Sequence, residues 1–415
     1  MSERAGCADA LARWSEKWRI TGINNRKVEL AVLPIDFAKR RLTVAQKVEE
    51  AGLDAYIGTR MAALHYLGGA FMPWRGAVVV TAGGECRFVY WLGDAERVKA
   101  EGSSMKLDLY FLADMFAVLK NVLDELGLSA GKIGMDLLHA GNNALLAPGM
   151  LTAGEYLQMR ETFPRATIEN GVACLDEVML IKDEAEIERM RAAALVGDYG
   201  WRCGYEAVQV GVTENYLAGV AEAALRRKGS FWSWSGTGGT EVGSGERTAY
   251  AYDVTRQASE RKIGNNEFII LDVHPMVDLY MGDNSVPIFI GTPDDDQKRL
   301  IDCWEEAVET VFKAIKPGAS IAEVAAQGMS VYSNHDLMEY AVPSFGHGLG
   351  VCARTEPNIT PVSPGTFEEG MVIAMGAHLY RPGVGGMMLE YPVLIGKNGA
   401  EKLGELELKV HFTEG

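Results

Sequence analysis

The sequence predicts an α/β (α+β) fold in two domains, on three observations. The chain is 415 residues long, enough for two cores of ordinary size. Strands and helices alternate through its first part, which suggests a compact α/β layer structure. Its second part carries apolar β-runs edged by carboxylates, after a join at Leu175–Glu188 where a long amphipathic helix begins. The expected division is a helical arm over residues 1–33, a first domain over 34–178 and a second over 179–415.

The arm is read from Leu11, Trp14 and Trp18, spaced for one apolar helical face. After Asp36, FAKRRLTVAQKVEEAGL reads as a helix that stops at Gly52, and LDAYIG follows as a strand. Gly76–Val80 and Cys86–Trp91 bracket the AGG turn, and further strands are expected at Leu107–Phe111 and Lys132–Met135. Ala113–Leu126 lies between these two as a helix. At the join, VMLIK reads as strand-like and Asp183 as the N-cap of a helix running to about Val208. A second helix spans Glu214–Lys228. Trp232 and Trp234, two apart on an extended stretch, share a face and could wall a pocket. Asp295–Ile315 is a helix, KPGASIAEVAAQ leads into another, and SFGHGLG forms a turn around His347. Pro361–Gly370 is a turn-rich loop before the strand MVIAM.

Composition excludes several functions. With 40 Lys+Arg against 56 Asp+Glu, a formal charge of −16 argues against nucleic acid or an anionic membrane as partner. Six cysteines without a CxxC pair argue for a reducing compartment, and the charged, amphipathic start for the absence of a secretory signal. No apolar run approaches the roughly 20 residues of a membrane helix. A cytoplasmic address is expected.

Chemistry concentrates in the second part. EFIILDVHPMVDLYMGDNSVPI reads as a hairpin with Asp272 near the end of its first strand and Asp283 before its second. Buried carboxylates cost several kcal/mol unless a cation meets them. His347 sits between glycines that allow close backbone approach, and Glu390 interrupts the apolar strand VGGMMLEYPVLI. Three carboxylates and one imidazole suit manganese, iron, cobalt or zinc.

The order Asp272, Asp283, GHGLG at 346–350 and Glu390 resembles the pita-bread metallohydrolase superfamily, which includes aminopeptidase P, prolidase, creatinase and a dimethylsulfoniopropionate lyase. The likeness spans roughly residues 180–410. It implies a creatinase/prolidase-like first domain, a pita-bread catalytic domain, one or two divalent ions, a small-molecule substrate and a homodimer. Asp272, Asp283, His347 and Glu390 match the metal ligands of the family.

Other positions depart from it. The catalytic His of the peptidases is replaced by Tyr252, a second His by Arg354, and one ligand Glu by Gly376 in GMVIAMGAH. A two-metal site could thereby fall to one ion or to none. His378 shares a strand face with Gly376, and His274 with Asp272, so either could serve as an auxiliary ligand or substrate contact. SGERT and NEFI resemble phrases of the lyase. The leading expectation is a metallohydrolase of a C–N bond in an amino-acid-derived substrate, with Arg354 clamping an anion and Tyr252 donating a proton; ordinary Xaa-Pro peptidase activity is not expected. The alternatives are a lyase of the same fold and a non-catalytic member with a degenerate metal site.

Overall fold

The computed structural model describes residues 33–102, 104–111, 115–138, 149–231, 233–234, 239–250, 256–352 and 354–415. The expected helical arm, except for Leu33, lies outside the described residues, as do Trp232 and Tyr252. The first part contains helices α1 (Phe37–Glu50), α2 (Met61–Gly68), α3 (Ala95–Glu101), α4 (Met115–Glu125) and α5 (Ala153–Thr162). Its strands are β1 (Ala55–Gly58), β2 (Gly76–Thr81), β3 (Cys86–Trp91), β4 (Leu107–Tyr110), β5 (Lys132–Met135) and β6 (Thr167–Asn170), in the order β4-β3-β2-β1-β5-β6.

This sheet is covered on both faces, which explains why GAVVVT is a continuous apolar run rather than an alternating one. Val78, Val80, Phe88 and Tyr90 enter one core with Val44 and Leu67, while Ala77, Val79 and Val89 enter another with Leu119 and Leu123. Asp36 caps α1 through the Lys39 amide, and Gly52 supplies the left-handed residue beyond its end, with φ +65°.

The join differs from expectation. VMLIK is not a strand: Ala173–Leu180 forms helix α6, because Leu175 and Met179, one helical turn apart, are both buried in the same core. Burial at that spacing outweighs the strand preference of Val178 and Ile181. Helices α7 (Glu184–Glu206), α8 (Glu214–Arg227), α9 (Asp295–Ala314) and α10 (Ile321–Asn334) follow. Asp183 and Glu186 close a reciprocal capping box on α7.

A ten-stranded sheet makes up the second part. Its strands are β7 (Glu241–Ser244), β8 (Glu267–Val273), β11 (Asn284–Ser285), β12 (Ile288–Ile290), β13 (Gly346–Gly348), β14 (Thr355–Asn358), β15 (Val372–Arg381), β16 (Gly385–Gly396), β17 (Gly399–Lys402) and β18 (His411–Thr413). A two-stranded ribbon, β9 (Met276–Val277) with β10 (Tyr280–Met281), projects between the arms of the expected hairpin. The larger sheet runs β14-β13-β15-β16-β11-β8-β12-β18, with β7 on β8 and β17 on β16. His347 therefore lies on a short strand and not in a turn; the amide and carbonyl groups of GHG are taken up by β14 and β15.

The sheet has two unlike faces. Ile269, Leu271, Leu389 and Tyr391 point into a core shared with Trp201, Leu217, Trp304 and Val324 of the four helices. On the opposite face, Val372, Ala374 and Leu394 pack with residues of the first part. Ile270, Tyr380 and Met388 form a small separate apolar cluster farther along the same face. The site lies between these two apolar zones.

Candidate metal centre

Register aligns the site. Glu241 pairs with Asp272, Asp272 with Ser285, Ser285 with Glu390, and Glu390 with Gly376, so five strands place one residue each in a single row across the sheet. Directly paired residues project from the same face. Period two adds His274 beyond Asp272, Asp283 before Ser285, and His378 beyond Gly376.

The side chains converge. Asp272, His274, Asp283 and Glu390, all buried, each offer a ligand atom within 4.8 Å of the others. His274 Nε2 is 3.0 Å from Asp272 Oδ2 and 3.8 Å from Asp283 Oδ1. His347 Nε2 is 3.6 Å from Asp283 Oδ2, so the two Asp283 oxygens face different imidazoles. His378 Nε2 and an Arg354 terminal nitrogen lie 3.6 and 3.7 Å from Glu390 Oε1. Trp234 donates its indole N–H to Gly282 O and meets the His274 ring edge-on, with centroids 4.7 Å apart.

Asp272 Oδ1, both Asp283 oxygens and His347 Nε2 are buried with no hydrogen-bond partner. Buried polar atoms are rarely left so, and four together call for a cation. Donor chemistry agrees: carboxylate oxygens and imidazole nitrogens are ligands of first-row divalent metals. The residues present fit such an ion.

Without an ion, the crowded carboxylates and imidazoles shift one another strongly. Burial, then the like charges of Glu390 and Asp272, drive the Asp283 carboxyl well above its usual range. Asp272 is also raised, chiefly by burial against the opposing pull of His274. Burial disfavours ionised Glu390 too, yet His378, Arg354 and His347 outweigh it and hold that carboxyl below its ordinary range. Burial and the Arg354 charge push His347 down to about 4, which keeps it in the neutral, ligating form. For His274, Asp272 overcomes burial and lifts the imidazole to about 9.

Of the residues expected to hold metal, Asp272, Asp283 and Glu390 converge together with His274; His347 stands beside Asp283 alone at 3.6 Å, and His378 faces Glu390. Arg354 stands at the rim, with its side chain about a third exposed (36%). Sequence reasoning missed Glu241, which burial pushes up to about 7 against the pull of His274, and Ser285, whose hydroxyl is buried without a partner. A single Glu in GTEVGS gives little signal. Only the pairing of β7 with β8 reveals it.

The chain is 27% identical over 250 residues to the Xaa-Pro dipeptidase of Lactobacillus helveticus, spanning 60% of this chain and 67% of that one. Against the Xaa-Pro dipeptidase of Pyrococcus furiosus it is 27% identical over 233 residues, 56% of this chain and 65% of the relative. The chain thus spans about two thirds of the length of these relatives. The solved Xaa-Pro dipeptidase from Bacillus anthracis superposes with a TM-score of 0.79 at 22% identity, covering 91% of this chain and 100% of that one. Prolidase from Thermococcus sibiricus gives 0.80 at 19%, covering 92% and 100%, and both likenesses establish the fold. The model of metallopeptidase family M24 matches residues 188–397, half of the chain and the stretch that carries the row, and the chain belongs to that family.

Proposed function

We propose that the protein is a metal-dependent hydrolase that cleaves a C–N bond in a small, amino-acid-derived substrate, and that it is not an ordinary Xaa-Pro dipeptidase. The observation that carries this reading is the set of four buried, unpartnered donor atoms on Asp272, Asp283 and His347 beside the partly paired Glu390. Asp272, Asp283, His347 and Glu390 would hold the ion. When bound, a divalent metal supplies Lewis acidity, polarising a scissile carbonyl and acidifying a water molecule.

The side chains around that ion divide the remaining work. Asp283, with oxygens facing His274 on one side and His347 on the other, fixes the spacing of the two imidazoles. Arg354 presents a planar cation at the rim beside Glu390, where it can clamp a substrate carboxylate or stabilise a developing oxyanion. The Ile270, Tyr380 and Met388 cluster offers an apolar wall along the same face, and the Arg256 guanidinium lies 4.5 Å over the Tyr380 ring. A substrate with one anionic end and a short apolar body suits these surroundings. The dipeptidase names of the relatives support hydrolysis, whereas the Arg354 and Gly376 positions support a different substrate.

The test is direct. Protein loaded in turn with Mn, Fe, Co and Zn is incubated with Xaa-Pro dipeptides, other dipeptides and N-acyl or N-amidino amino acids, and product masses are recorded. Expected is a product pair whose summed mass exceeds the substrate by one water, from a compound outside the Xaa-Pro set. Failure to bind any of the four ions would overturn the metallohydrolase reading; hydrolysis confined to Xaa-Pro dipeptides would overturn its substrate half.

A further inference from the structure

Gly376 and His378 occupy one piece of space. A Cβ built on Gly376 would lie 2.9 Å from His378 Cε1, so the imidazole fills the volume a side chain at 376 would use, directly opposite Glu390 in the sheet. The ring is nearly inaccessible, with 5% of its side chain exposed, yet neither of its nitrogens has a hydrogen-bond partner. A histidine kept for packing normally satisfies at least one nitrogen. His378 Nε2 instead faces Glu390 Oε1 at 3.6 Å. Two ligands about 2.1 Å from one ion stand roughly 3.0–3.4 Å apart, so the 3.6 Å gap closes with a small side-chain shift; His378 lies outside the mutually close set of Asp272, His274, Asp283 and Glu390 and would join it through Glu390.

We propose that His378 is a metal ligand acting from above Gly376, and that it gives the site a third imidazole beside His274 and His347. This rests on the reading that the row holds a divalent ion. Imidazole favours zinc and cobalt, whereas manganese and magnesium prefer all-oxygen shells. A site with three imidazoles and three carboxylates therefore selects borderline ions. The glycine at 376 is part of the device, because a Cβ there would press on the ring at 2.9 Å and on the Gly346 backbone nitrogen at 3.1 Å.

The experiment measures ion uptake, independent of turnover. Metal-free protein is titrated with Zn(II), Co(II) and Mn(II) by calorimetry, and the visible absorption of the Co(II) form is recorded. Wild type is expected to bind Zn(II) and Co(II) at least tenfold more tightly than Mn(II). His378→Ala and His378→Gln are each expected to lose more than about a hundredfold in Zn(II) affinity, beyond the ~10–100-fold of an outer-shell change, to narrow the Zn/Mn ratio and to alter the Co(II) bands. Gly376→Ala, which crowds the ring without removing it, is expected to move all three readouts the same way. Circular dichroism checks the fold of each variant, and the Gln variant serves where Ala unfolds. Unchanged affinity and Co(II) spectrum in a folded His378 variant, with uptake by wild type intact and abolished by Asp283→Ala, overturns this inference alone. No uptake by wild type overturns both it and the metallohydrolase reading.

Discussion

Asp283 shows how a residue proposed to hold metal works against stability. Its carboxyl is buried, both oxygens lack partners, and its neighbours Glu390 and Asp272 carry like charge. Without a cation this arrangement costs the fold several kcal/mol. Asp283→Asn keeps the shape and removes the charge, so in the presence of a chelator its melting temperature should equal or exceed that of wild type. In saturating metal the order should reverse, with ion uptake lost and activity down by more than about a hundredfold, beyond the ~10–100-fold typical of outer-shell changes. A chelated Asn variant melting several degrees lower would show that the carboxylate is satisfied by other means. Trp234 stands behind the proposed ion: it meets the His274 ring edge-on and is itself anchored to Gly282 O. Trp234→Leu should weaken Zn(II) binding about tenfold with little loss of fold, measured by the same calorimetry. Asp272, Asp283 and Glu390 were legible as candidates because a carboxylate in or beside an apolar β-run is conspicuous, and His347 because it sits between glycines. Glu241 and Ser285 were not, since a short polar strand end looks like loop until its register is known.

Elements with signals at their ends were the readable ones. Helix α7 announces itself with Asp183 and Glu186, each bonded to the other's backbone amide, and Asp183→Ala should cost about 1 kcal/mol, seen as a lower urea midpoint at unchanged slope. Helix α2 carries no such mark. Every residue from Ala62 to Gly68 is buried, so no apolar stripe distinguishes it from a buried strand. It also contains a histidine with a measurable consequence for acid stability. Burial, aided by Arg97, pushes His65 down to about 3, and its Nε2 accepts the Met72 amide at 3.0 Å. The folded imidazole is therefore neutral where the unfolded one, near 6.5, has begun to protonate. Unfolded chain binds the extra proton, so this contribution is complete above pH 6.5 and drains away as pH falls toward 3. Chelated wild type should lose on the order of a few kcal/mol across that window. His65→Gln, which keeps an acceptor for the Met72 amide, should flatten the slope there; an unchanged slope would mean that the ring protonates freely when folded.

At the scale of the molecule, what no local reading could supply is the way the two halves hold each other. One apolar core takes Val44, Leu67 and Phe88 from the first part together with Met281, Leu349, Val372 and Leu394 from the second. Within it lies a polar knot. Arg40 of α1 donates to Tyr280 Oη at 2.8 Å and pairs with Glu186 of α7 at 3.3 Å, while Tyr280 Oη donates to Glu186 Oε1 at 3.1 Å. These partners are so distant in sequence that Arg40 reads as an ordinary charge on an amphipathic helix. The knot is nearly dry, with 5% and 4% of the Arg40 and Glu186 side chains exposed, so loss of one member strands the other. Arg40→Met should destabilise the protein by about 3–5 kcal/mol and leave Glu186 buried with only Tyr280 and the Asp183 amide. Adding Glu186→Gln removes the stranded charge and keeps an acceptor for the cap, so the double variant should recover more than half of that loss. Calorimetry should also show Arg40→Met splitting a single unfolding transition into two, because the contact that couples the halves has been weakened on one side. A single transition at the wild-type temperature would mean that the shared apolar core alone holds the halves together.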